Sequence, residues 1–237
     1  MGATVRRAVR SRTVALIHHP QHVRLLTNPA LPTIHTCSKL RPISRIMIAL
    51  AALALLVLLV TPIWRIDLHA PQYPEGLFMR IHADHFDGDV EKINGLNHYI
   101  GMAYIKDEMF TEFIYLPKVL MLLCALGLVA AAWGRRILLF LGLVTLSLFS
   151  LWALWRMWAW GYDYGHNLDP RAAIKVEGMA YQPPLIGHKQ LLNFDAWSTP
   201  DIGGWVLFCV LGLLAGVYFL ELRDMHTRRK VRRNLRP

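Results

Sequence analysis

Acidic side chains are missing from the first 45 residues, which carry eight Lys or Arg. Charge of either sign is missing from 46–64, and only 18% of the 237 residues are charged. These absences exclude an ordinary soluble domain, whose core is assembled from shorter, amphipathic segments. Cysteine is scarce. Cys37 lies in the basic arm, Cys124 and Cys209 lie in apolar runs, and no hydrophilic loop holds a pair for a disulfide. The two thiols in apolar runs read as packing residues. The absence of C-x-x-C-H excludes a covalently attached haem. No histidine falls within an apolar run, which argues against a haem ligated between helices. No glycine-rich phosphate loop is present. A Ser/His/Asp set can be drawn from Ser198, His188, Asp195 and Asp201, but no nucleophile elbow surrounds Ser198.

What is present is four long apolar runs, 46–64, 114–133, 137–160 and 202–220. Each is near the roughly 20 residues that a helix needs to cross a bilayer. In hydrocarbon, every backbone N–H and C=O must be paired within the segment, so the runs are predicted to be helices. Gly134, Arg135 and Arg136 alone separate the second run from the third, which demands a tight helical hairpin. The expected fold is therefore an all-α membrane domain over 46–220. Two long extracytoplasmic loops, 65–113 and 161–201, form a cap. A basic arm (1–45) and a basic tail (221–237) flank this domain. The arm has no long periodic run and reads as a disordered segment; it also resembles a transit peptide, or an extension upstream of a start nearer Arg45.

Charge sets the expected orientation. The arm has eight Lys/Arg, the hairpin two and the tail seven, against four and three in the two long loops. The positive-inside rule then places both termini in the cytoplasm and both loops outside, as in a multi-pass protein of the bacterial inner membrane. The net charge of +10 is mainly this topology signal. Membrane lipid is an expected partner of the basic tail, and nucleic acid is not. Trp64, Trp155, Trp158, Trp160, Trp197 and Trp205 fall near the outer boundary, where indole rings prefer to sit. Arg156, near the end of its run, is expected to snorkel to the outer headgroups.

Chemistry, if any, belongs in the loops. Six of the eleven histidines lie there (His69, His82, His85, His98, His166 and His188), as do Met79, Met102, Met109 and Met179. Imidazole and thioether together suit copper, the soft sulfur favouring Cu(I). His82 and His85 are three apart and His98 and Met102 four apart, so either pair would share a face if helical. The leading candidate ligands are His98, Met102, His166 and Met179, each beside Gly, Asn or Tyr in a turn-rich segment; His82, His85 and His188 follow. The competing reading is that each is a hydrogen-bonding or packing residue of an ordered cap.

Four stretches, Tyr73-Pro-Glu-Gly-Leu77, Ile93-Asn-Gly-Leu-Asn-His-Tyr-Ile-Gly-Met102, Gly165-His-Asn-Leu-Asp-Pro170 and Tyr181-Gln-Pro-Pro-Leu-Ile-Gly187, resemble a bacterial family of four-span membrane proteins. Some of its members are encoded beside copper-chaperone and maturation genes for periplasmic nitrous oxide reductase. The resemblance covers about 46–220 and brings no catalytic residues with it; the arm lies outside it. It implies a non-enzymatic accessory protein that binds or delivers copper at the periplasmic face, or assists assembly of a periplasmic copper enzyme. Two other expectations stand beside that one. The chain is a metal-free structural or interaction subunit of a larger membrane complex, or a quinol or electron-transfer subunit.

Overall fold

The structure is a computed structural model that describes residues 39–174, 178, 180–191 and 193–234. Four helices are long and apolar enough to cross a membrane: Pro42–Leu59, Glu112–Trp133, Arg136–His166 and Ile202–Thr227. The first comprises α1 (Pro42–Ala54) and a 3-10 turn (Leu55–Leu59). The others are α3 (Glu112–Trp133), α4 (Arg136–His166) and α5 (Ile202–Asn234). At 1.5 Å per residue, α4 and α5 exceed a hydrocarbon core of about 30 Å. The last turns of α4 accordingly run into the cap, and α5 continues into the basic tail.

The long loops depart from the all-α expectation. They build a five-stranded antiparallel sheet in the order β3-β2-β1-β5-β4, so the chain is mixed α and β. The strands are β1 (Trp64–Ala70), β2 (Tyr73–Ile81), β3 (Phe86–Gly88), β4 (Gly187–Leu191) and β5 (Phe194–Pro200). A short helix, α2 (Val90–Ile100), packs on β2. The central strand leaves the first helix and pairs with β5, which leads into α5; its register runs from Trp64↔Pro200 to His69↔Asp195. Strand residues alternate between faces. One face buries Trp64, Ile66, Leu77, Met79 and Ala196 against Ile93, Ile100 and Tyr164. Each large apolar side chain so buried contributes roughly 1.5–3 kcal/mol. The indole N–H of Trp64 would be costly to bury unpaired; it donates to Ser198 Oγ at 2.8 Å, and that hydroxyl donates on to the Leu185 carbonyl at 3.0 Å. Ser198, wholly buried, is thus a structural hydroxyl.

Two glycines permit close crossings. A Cβ at Gly204 would lie 2.5 Å from the Ile63 carbonyl oxygen, so α5 could not otherwise start against the 62–63 backbone. A Cβ at Gly165 would lie 2.4 Å from the Gln182 nitrogen, where Tyr181 N–H donates to the Gly165 carbonyl at 2.9 Å. That bond lays the second loop across the end of α4.

The first span begins and ends earlier than 46–64. It starts at Pro42, a favourable residue for a first helical turn, and gives way before Pro62. Trp64 already belongs to β1. Residues 39–45, assigned to the arm by composition, are ordered against the bundle, while 1–38 lie outside the described residues together with Cys37. Leu40 N–H donates to the Gly134 carbonyl at 2.7 Å. Arg45 caps the end of α3, donating to the Ala131 and Ala132 carbonyls at 2.8 and 2.6 Å. Glu221, 1% exposed, joins three elements. Its carboxylate accepts from Arg41 N–H (3.1 Å), Ser44 Oγ (2.7 Å) and Arg136 Nε (2.9 Å). This network fixes the start of α1, the hairpin and α5 at the end of the bundle opposite the sheet.

Removing one partner of a buried ion pair typically costs about 3–5 kcal/mol, because the other charge is stranded. Glu221→Leu is therefore expected to destabilise the protein by about that much. Glu221→Gln should cost less, since the amide oxygen still accepts. Denaturant titration of purified protein in detergent checks both; a neutral Glu221→Leu contradicts the role assigned to the network.

Candidate functional site

The candidate metal ligands do not gather. Among the described residues no group of three or more His, Cys, Asp or Glu side chains could hold a metal ion. His98 sits exposed in the last turn of α2, its ring 6.0 Å from that of Tyr104 and 6.2 Å from that of Tyr99. Met102 points the other way, 9% exposed, into the core between sheet, α2 and α4. The pair does not share a helical face because Gly101, left-handed at φ 80°, stops α2 between them. His166 ends α4, stacked on Tyr162 at 4.0 Å and hydrogen-bonded through Nδ1 to the Tyr162 carbonyl at 2.7 Å. Met179 lies outside the described residues.

One pair does come together. His82 and His85 flank the turn from β2 to β3 and stack with ring centroids 4.4 Å apart and planes 12° from parallel. The turn is closed by His82 N–H donating to the His85 carbonyl at 2.9 Å. His85 Nδ1 meets Asp84 Oδ1 at 2.7 Å. Partial burial, and then the neighbouring His85, push the His82 imidazole below its ordinary range.

The outer face of the sheet carries the other polar and aromatic loop residues. Register places His188 beside Trp197, Trp197 beside Asp67 and Asp67 beside Phe78, one row across four strands. Trp197 is 47% exposed, and the His188 ring lies against it with centroids 4.6 Å apart. His188 Nε2 contacts Asp195 Oδ1 at 2.9 Å. Arg65 and Arg80 both lie over Phe78, their guanidinium carbons 5.3 and 5.0 Å from the ring centroid. Arg65 also donates to Asp67 at 2.8 Å, and that hydrogen bond raises the guanidinium above its ordinary value. Arg65, Asp67, His69, Glu75, Trp197 and Thr199 surround a shallow cleft of about 510 Å³. The opposite face of the same strands is core, so these side chains are held on a rigid platform.

Arg156 has a partner within the protein. Its Nε donates to Glu112 Oε1 at 2.7 Å, tying α4 to the first turn of α3. The helices meet the sheet at this level. Glu112 carries no signal in the sequence, and His188 and Trp197 stand there as separate residues, not as members of one row. The alternation Trp-Arg-Ile-Asp-Leu-His-Ala over 64–70 and Phe-Asp-Ala-Trp-Ser-Thr over 194–199 was the available signal for the row.

Comparison with protein-family models, with curated proteins and with solved structures gave no match, so the site is read from its geometry.

Lowering of the His82 pKa means that the fold favours the neutral ring. Its contribution is complete above the unfolded value of about 6.5 and is lost as pH falls through the lower folded value. Nuclear magnetic resonance of ring protons should find His82 titrating below the ordinary histidine value of about 6.5. His82→Gln should flatten the acid side of the cap's stability profile. Titration of His82 at or above the ordinary histidine value contradicts this.

Proposed function

We propose that this protein is a non-enzymatic accessory subunit of the bacterial inner membrane, anchored by its four apolar helices with both termini in the cytoplasm. The outer face of its cap docks a periplasmic protein domain. The observation that supports this reading best is the rigid row His188–Trp197–Asp67–Phe78 flanked by Arg65 and Arg80. Aromatic residues and arginine are enriched where proteins bind one another, since they supply large, stiff contact area with a polar edge. Charge asymmetry between the loops and the termini supports the orientation.

Copper delivery to such a partner is the second reading. Its local support is the adjacency of His82 and His85, two imidazoles suited to copper. A Cu(I) titration separates the two: stoichiometric binding lost in a His82→Ala, His85→Ala double variant supports delivery, and equal binding by both proteins removes it.

A photo-crosslinking amino acid at position 197 in living cells tests the docking surface. A discrete adduct at 197, absent when the probe sits at 148 on the apolar outside of α4, is the expected result. With the probe at 78 instead, Trp197→Asp should weaken recovery of the crosslinked partner by at least tenfold, as for a truncated interface anchor worth roughly 2 kcal/mol. No adduct at 197 or at 78 would sink the reading. Labelling of a cysteine at 197 only after the cytoplasm is opened would overturn the orientation.

A further inference from the structure

Where the apolar helices meet the sheet, a cavity of about 180 Å³ lies between α3, α4 and α5 and the β1–β2 side of the cap. Its walls are aromatic. Phe86 packs edge-on against Phe110 and Phe113, each at 4.9 Å, and Phe110 packs against Trp160 at 5.3 Å. These interlocked rings cannot collapse readily into the space, because aromatic pairs hold preferred offset and edge-to-face geometries. An apolar cavity of about 150 Å³ in another protein accepts benzene. The space here thus suits one six-membered ring.

The lining is not uniformly apolar. His82 contributes an imidazole that stacks on His85 and makes no hydrogen bond among the described residues. Glu112 and Arg156 contribute their ion pair. A hydrocarbon chain has no use for either group. A flat ring bearing two oxygens in para positions has a use for both. Glu112 opens α3 and Arg156 lies within α4, so the cavity sits at the depth where the span helices give way to the cap. Trp152 and Phe208 also line it and are 44% and 37% exposed, which leaves a lateral opening toward the bilayer side of the helices.

We propose that this cavity binds the head ring of a membrane-soluble isoprenoid quinone. The ring lies among Phe86, Phe110 and Trp160, one ring oxygen is hydrogen-bonded by His82, and the isoprenoid tail leaves past Trp152 and Phe208. The proposal concerns binding alone and does not rest on the docking surface, which lies on the opposite face of the sheet.

The test uses the full chain in nanodiscs of synthetic phosphatidylcholine, titrated with decylubiquinone and followed by quenching of tryptophan fluorescence, with empty nanodiscs as blank. Saturable binding at one per chain is expected. Ala153→Phe, which fills the cavity from α4, should abolish saturation. His82→Leu should weaken binding by about tenfold, the loss of one hydrogen bond. Leu148→Phe, on the exposed side of α4, should leave it unchanged. Unsaturable partitioning, or equal binding by wild type, Ala153→Phe and His82→Leu, overturns the proposal. So does native mass spectrometry showing a phospholipid held one per chain that decylubiquinone does not displace. If Ala153→Phe does not fold, the wild-type titration and His82→Leu decide alone.

Discussion

The pairing of β1 with β5 joins the chain segment leaving the first apolar helix to the segment entering the last one. Everything on the sheet side of the bundle is arranged around that ladder. Strand side chains alternate with a period of two, so a slip of one residue would expose Trp64, Ile66 and Ala196 and bury Arg65, Asp67 and Trp197. The cost of burying those polar groups unpaired holds the register in place. The register in turn decides which residues form the core and which form the exposed row. Trp64 and Ser198 strengthen it, because their hydrogen bond satisfies two buried polar groups at once.

The bundle is therefore tied at both ends by different physics. At the sheet end the tie is a hydrogen-bonded ladder with an apolar underside. At the far end it is one buried carboxylate, Glu221, shared among the start of α1, the hairpin and α5. Apolar helices in hydrocarbon gain little from burying their faces against each other, since lipid is as apolar as leucine. Polar ties at the two ends are a natural way to fix such a bundle. A bundle fixed in this way can maintain the aromatic cavity beneath the sheet and the outer face above it.

Much of this was legible in the sequence, for reasons particular to each part. Uninterrupted apolar composition marks helices, and 114–133 and 137–160 lie within Glu112–Trp133 and Arg136–His166. The hairpin followed from the three residues between them. The sheet was hidden because its first strand directly follows an apolar run, so Trp64 read as the end of a span. Its pairing partner lies some 130 residues further on, and composition carries no trace of such a contact. The spacing of His98 and Met102 is helical, but Gly101 stops the helix before it can align them. The spacing of His82 and His85 belongs to a turn between strands, and the rings meet there without any helix. Glu221 and Glu112 carried no local signature; each becomes meaningful only when an arginine from another helix reaches it.

Hydrogen exchange of backbone amides, read by mass spectrometry on the full chain in nanodiscs, tests the ladder most directly. Peptides covering 64–70 and 194–200 should be protected together, and should lose protection together when Ser198→Val removes the acceptor for Trp64. Exchange of either segment at the rate of an unstructured loop, or protection of one without the other, would contradict that pairing.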